Sequence, residues 1–195
     1  MAVAAVELSL PLRMFVDRMD DAVERERSPA RLAREAATRL LELLMAPKVL
    51  PAWCRDSDSE RYRQHVLHVH QRGLYSLVAL VWRPGQATPI HDHRCWCVVG
   101  VLEGSEEETR YHFASDGDER WLVPVGSSFS PVGSVGVLIP PAENIHRVSN
   151  GGDTLAVSLH VYGADIGACG SSINRVFEEP VRDDAAGDSL AWRAA

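Results

Sequence analysis

At 195 residues, with 20 basic against 27 acidic side chains and a net charge of -7, the chain can bury one sizeable core and carries no Lys/Arg run. That balance argues against a nucleic-acid or anionic-membrane partner, and no segment reaches the roughly 18 uninterrupted apolar residues of a membrane helix. The start MAVAAVELSLPL lacks the basic head and long apolar run of a signal peptide, so a soluble, cytoplasmic protein is expected, as a monomer or small homo-oligomer.

No composition shift marks a second domain, and one domain is expected over 1–195, with a helical part over 1–65, a β part over 66–180 and a polar tail over 181–195. In chain order, Leu12, Phe15, Val16, Met19 and Val23 recur at helical spacing to about Glu24. Ser28 followed by Pro29 predicts an N-cap for a second helix, whose stripe of Ala33, Ala36, Ala37, Leu40, Leu41 and Leu44 ends before Pro47. Ser57 and Glu60 have capping-box spacing and predict a short helix through about Gln64. Beyond it, β-branched and aromatic runs predict strands near 66–70, 74–82, 95–103, 107–114, 119–124, 135–139, 145–149, 154–162 and 173–178. Many short strands with helices at one end predict a sandwich or small barrel that carries the helices outside. After Pro180 the tail is polar and Ala-rich with one aromatic, and is expected either to be loosely held or to dock through Trp192. Cys54, Cys95, Cys97 and Cys169 have no framework spacing and read as reduced thiols.

The chemistry concentrates in PGQATPIHDHRCWCVVGVLEG. One residue separates His91 from His93, which on a strand puts both imidazoles on one face and Asp92 on the other. A reactive metal needs a third protein ligand and open positions, and His146 in PPAENIHRVSN is the candidate. In LAVSLHVYG, Ser158, His160 and Tyr162 alternate with Val157, Leu159 and Val161. Either the polar face decorates the surface, or it turns inward, where a Ser-His-Tyr hydrogen-bond relay would satisfy it. His65, His68, His70 and His112 read as solvated or peripheral, Trp82 and Trp96 as core or cavity-wall aromatics, and Glu106-Glu107-Glu108 as a solvated hairpin edge.

Gly85-x5-His91-x-His93 with Gly104, and Pro141-x4-His146-x3-Asn150, resemble the two motifs of the cupins, a jelly-roll β-barrel superfamily. Cys97 occupies the slot where the usual cupin has a glutamate ligand. With the Ser158-x-His160-x-Tyr162 strand, the stretch from about Arg61 to Tyr162 resembles bacterial thiol dioxygenases of the cysteine dioxygenase type I family. The resemblance implies Fe(II) held by His91, His93 and His146, an outer relay of Ser158, His160 and Tyr162, and conversion of a small thiol carboxylic acid (L-cysteine or 3-mercaptopropionate) with O2 to the sulfinic acid. It also implies a thioether crosslink between Cys97 and Tyr162, as in the mammalian enzymes. For the substrate carboxylate it implies an arginine. Tyr62-Arg63-Gln64 carries Gln64 where the cysteine-acting arm has arginine, and Gly170-Ser171 stands where the 3-mercaptopropionate arm has one. Tyr62, Gln64 and Arg175 are therefore the expected substrate contacts, with Arg63 and Arg94 as alternative guanidinium sources. Two rivals are a cupin metalloenzyme of other chemistry and a non-catalytic metal or thiol sensor; a structural zinc site would be closed by four protein ligands.

Overall fold

The computed structural model describes residues 7–141 and 144–183. It opens with two helices, α1 (Leu10–Arg25) and α2 (Pro29–Leu44), and a single 3-10 turn over Ala52–Arg55. Ten strands follow: β1 (Arg63–Val69), β2 (Ser76–Trp82), β3 (His91–His93), β4 (Cys97–Glu103), β5 (Ser105–Asp116), β6 (Glu119–Pro131), β7 (Val135–Leu138), β8 (His146–Asn150), β9 (Ala156–Tyr162) and β10 (Ile173–Val176). They form two five-stranded antiparallel sheets, ordered β1-β2-β9-β4-β7 and β10-β3-β8-β5-β6. This is the expected mainly β jelly roll. Among the described residues, no helix is long and apolar enough to cross a membrane.

Strand alternation explains why helices and cavity lie on opposite sides of the first sheet. Along β2, Leu77, Ala79 and Val81 join Val157, Leu159 and Val161 of β9 in one buried cluster with Leu12, Met19, Ala36 and Leu40 of the helices. The intervening Val78, Leu80 and Trp82 turn to the other side and cluster with Cys97 and Tyr162. Every residue of β2 and β9 is consequently buried. A strand covered on both faces resolves the two options for LAVSLHVYG: its apolar face lies under the helices and its polar face looks into the barrel.

Ser28 is the N-cap of α2 with Pro29 opening the helix, as expected, though its side chain makes no capping bond and its own amide donates to Glu26 Oε1 at 2.8 Å. Other local expectations change. The side-chain cap is at Ser9, whose Oγ accepts from the Leu12 amide and donates to the Val49 carbonyl at 2.7 Å, tying the start of α1 to the loop after α2. No helix forms from Ser57 to Gln64. There Asp58 Oδ1 captures the Glu60 amide at 2.8 Å and Ser57 Oγ accepts from Arg83 Nε at 3.0 Å, local bonds that compete with a helix lacking an apolar stripe. The expected 95–103 strand starts at Cys97, after a corner that separates it from β3.

Gly104 turns the chain from β4 into β5 with φ +68, and a Cβ there would stand 2.7 Å from the Leu155 carbonyl oxygen. Only glycine meets both demands. His68 and His70 are peripheral rather than solvated: their Nε2 atoms lie 3.5 Å from Asp20 Oδ1 and 3.7 Å from Glu24 Oε1 of α1. The first tail residues are held by backbone bonds, with Leu122 accepting from the Arg182 amide at 2.9 Å and donating to the Pro180 carbonyl at 2.9 Å. Trp192 lies outside the described residues.

Candidate metal centre and cavity

Antiparallel pairing of β3 with β8 sets His91 directly opposite His146, and the one-residue alternation along β3 brings His93 to the same face. All three rings are buried. Their Nε2 atoms converge, His91 to His93 at 3.2 Å and His93 to His146 at 2.9 Å. The far nitrogens fix two of the rings: His91 Nδ1 donates to the Pro89 carbonyl at 2.9 Å, and His146 Nδ1 donates to Glu108 Oε1 at 2.7 Å. Asn144 clamps β3 from the side, accepting from the His93 amide at 3.1 Å and donating to the His93 carbonyl at 2.8 Å.

Burial, reinforced by the neighbouring imidazoles, pushes His91 down to about 4 and His93 down to about 2, so both are unprotonated at neutral pH. Ring nitrogens this close cannot all satisfy one another, because one proton shared by His93 Nε2 serves one neighbour and leaves another lone pair facing it. A divalent cation at the point of convergence uses every lone pair at once. The donor set fits iron, as imidazole also fits other first-row ions. Burial drives Glu108 up, but the hydrogen bond and charge of His146 and those of Arg110 outweigh it and hold the carboxyl below its usual range.

The relay strand lies opposite. Ser158 Oγ is 2.9 Å from His160 Nε2, and Tyr162 Oη is 3.1 Å from His160 Nδ1, all buried. Trp82 Nε1, which can only donate, reaches Ser158 Oγ at 3.2 Å. Trp82, Ser158, His160 and Tyr162 thus form one continuous chain of hydrogen bonds that ends at the phenol, with the direction beyond the Trp82 donation set by the His160 tautomer. The Tyr162 and His93 rings stack with centroids 6.0 Å apart, which puts the relay's end beside the histidines. Cys97 sits opposite Tyr162 in the β4–β9 register, with Sγ 4.0 Å from His160 Nδ1. Burial raises both the Cys97 thiol and the Tyr162 phenol well above their usual values.

These groups line a cavity of about 100 Å³ between the two sheets. Tyr62 and Gln64 reach it, and Tyr62 stacks on Trp82 with centroids 4.4 Å apart. The three arginines expected at the carboxylate do not. Arg175 pairs with Glu179 at 2.6 Å and lies over the Phe177 ring, because its backbone follows β10 along the outer edge of β3. Arg94 donates to the Ile173 carbonyl at 2.8 Å, and Arg63 alternates away from Tyr62 and Gln64 into solvent. The guanidinium at the cavity is Arg110.

The acidic run is also corrected. Glu107 is exposed, whereas Glu106 is buried, Glu108 half-buried, and both line the cavity with Arg110. The signal was the strand period, which places 106, 108 and 110 on one face opposite 107 and 109. Asn144 left no such trace, since its partner is 51 positions away.

A family model described as cysteine dioxygenase type I matches residues 47–172. A cysteine dioxygenase type 1 from Danio rerio is 29% identical over 114 residues, 57% of this chain and 56% of that protein, so the chain spans about half the length of that curated relative. A solved Klebsiella pneumoniae protein with a double-stranded β-helix domain is similar at 16% identity and a TM-score of 0.41, over 56% of this chain and 83% of its own. A cupin domain from Schizosaccharomyces pombe is similar at 12% identity and 0.41, over 55% and 63%. With the family match extending from the loop after α2 to the residues before β10, across all three converging histidines and the relay strand, the chain belongs to the cysteine dioxygenase type I family.

Proposed function

We propose that the protein is a non-heme Fe(II) thiol dioxygenase that adds both atoms of O2 to the sulfur of a small thiol and gives the sulfinic acid. The thiol and O2 together contain every atom of the product, so no external reductant is needed. The observation that carries the reading is the convergence of three buried imidazoles on one point of a small cavity, faced by the phenol at the end of the relay. Bound iron would supply the change in electron count and the open positions where thiol and O2 meet. The chain's own residues hold and orient. His91, His93 and His146 would hold the metal, Asn144 holds the backbone of His93, Glu108 holds the ring of His146, and Trp82, Ser158 and His160 would fix the Tyr162 hydroxyl beside the reacting groups. A cavity of about 100 Å³ admits a small thiol and sheds bulk water.

The test is O2 uptake by anaerobically Fe(II)-loaded protein offered L-cysteine, 3-mercaptopropionate, cysteamine and mercaptosuccinate in parallel, with product mass recorded. Stoichiometric sulfinate from one thiol is expected. Full iron occupancy with no thiol-dependent uptake defeats the proposal.

Cross-strand pairing puts Cys97 and Tyr162 in the closest relation two strands allow, and a thioether between Sγ and the phenol ring is proposed. Its formation removes one hydrogen from each partner, with O2 as the oxidant. Peptide mass spectrometry after turnover is expected to show the two peptides joined and lighter by two hydrogens; separate, unmodified peptides would count against the bond.

A further inference from the structure

Three side chains of β5 face the cavity: Glu106, Glu108 and Arg110. Two of them have work. Glu108 accepts from His146 Nδ1 at 2.7 Å and from Arg110 at 3.3 Å. Glu106 does not share in this. Its side chain is 6% exposed, and its Oε1 is buried without a hydrogen-bond partner among the described residues. His160 Nε2 lies 3.8 Å away, beyond hydrogen-bonding distance, and is bonded to Ser158 Oγ at 2.9 Å instead.

A buried carboxylate oxygen with nothing to accept from is costly, and groups left in that state recur at binding sites, where a ligand completes them. The missing partner has a sign. It must donate hydrogen bonds and preferably carry positive charge, because ionised pairs give the strongest bonds to a carboxylate. The cavity does not supply one: Arg110 is the sole lysine or arginine among its described lining residues, and it sits beside Glu108. Position adds the second constraint. Glu106 and Glu108 are one strand repeat apart, about 7 Å along β5, and Glu108 touches the ligand-bearing ring of His146. Glu106 therefore lies one short-molecule length from the histidines, with Val99 and Val101 among the apolar wall.

We propose that Glu106 binds the ammonium group of the substrate, and that the substrate is a short aminothiol of cysteamine chemistry, its sulfur at the histidines and its amine on Glu106. This rests on the thiol dioxygenase reading and narrows it to one charge class.

Three thiols of similar length separate the terms: cysteamine is cationic, 2-mercaptoethanol neutral and 3-mercaptopropionate anionic. Anaerobic calorimetry on the Fe(II)-loaded wild-type protein measures binding of each without turnover, and O2 uptake gives kcat/KM for each. Cysteamine is expected to bind tightest, about tenfold or more ahead of 2-mercaptoethanol, with 3-mercaptopropionate last. In Glu106→Gln, which keeps the shape and removes the charge, the cysteamine-to-2-mercaptoethanol ratio is expected to fall by about tenfold, mainly through KM. A role for Glu106 confined to packing or to holding His160 would lower all three thiols alike and leave that ratio unchanged, which overturns the proposal. So does a wild-type order with 2-mercaptoethanol or 3-mercaptopropionate first, whatever the variant does. Absence of O2 uptake with every thiol would defeat the dioxygenase reading, and the calorimetric order would still decide the charge of the ligand.

Discussion

Replacing His146 by alanine is expected to leave the protein folded and its metal content at background. The fold should survive because the ring stands on the cavity side of β8 and belongs to neither apolar cluster. Bound metal should not, because two imidazoles would remain where three converge, and Glu108 would lose the ring it orients. The companion variant Glu108→Ala grades the effect. It keeps every imidazole but frees His146 to rotate, and removing such an outer partner typically costs roughly 10- to 100-fold in metal affinity. The expected order in metal content after dialysis against a weak chelator is wild type, then Glu108→Ala, then His146→Ala, with thiol-dependent O2 uptake following the same order. Equal occupancy in all three proteins would mean that the metal sits elsewhere.

The second large effect is on stability and comes from Gly163. The Trp96 ring lies against this glycine so closely that a Cβ there would stand 2.2 Å from Nε1 and 2.4 Å from Cε2. Trp96 is 5% exposed, so the ring has little room to retreat. Gly163→Ala must therefore push the ring outward or pull β9 away from β4, and overpacking of this kind costs about 2–3 kcal/mol. At roughly 2–4 °C per kcal/mol for a chain of this size, Tm is expected to fall by roughly 5–10 °C. Gly126→Ala is the control, because a Cβ there meets nothing within 4 Å; it should shift stability by less than about 0.5 kcal/mol. If both variants melt together, the Trp96 contact is not holding the strands. The expected damage is also chemical, since Trp96 and Gly163 are the chain neighbours of Cys97 and Tyr162.

What could be read from sequence is what local periodicity encodes. The apolar spacing of α1 and α2, most strand runs and the His-x-His alternation each depend on a few consecutive residues, and the structure places them close to where the pattern does, except that the run expected over 119–124 continues to Pro131 and the short β3 is not among the expected runs. The inward Ser158, His160 and Tyr162 required one further fact, that β9 is covered on both faces, and no window of seven residues contains it. The shell around the histidines was harder still. Glu108 bonds His146 across 38 positions, Asn144 clamps His93 across 51, and Trp82 reaches Ser158 across 76. Those pairings exist only once β3, β5, β8 and β9 have found their register. The expected helix after Ser57 failed for the opposite reason: local polar side chains offered the backbone other bonds, and the short-range pattern did not say which would win.

The double coverage of β9 also decides how the site can fail. This strand is hydrogen-bonded to β2 along one edge and to β4 along the other, and neither face meets solvent. Amides in such a strand exchange only when the whole domain opens, because no smaller cooperative unit contains them. The phenol of Tyr162 is thus anchored in the slowest-exchanging part of the molecule. Partial fraying at the edge strands β1 and β7 leaves its position untouched, and thermal loss of that position should coincide with global unfolding rather than precede it.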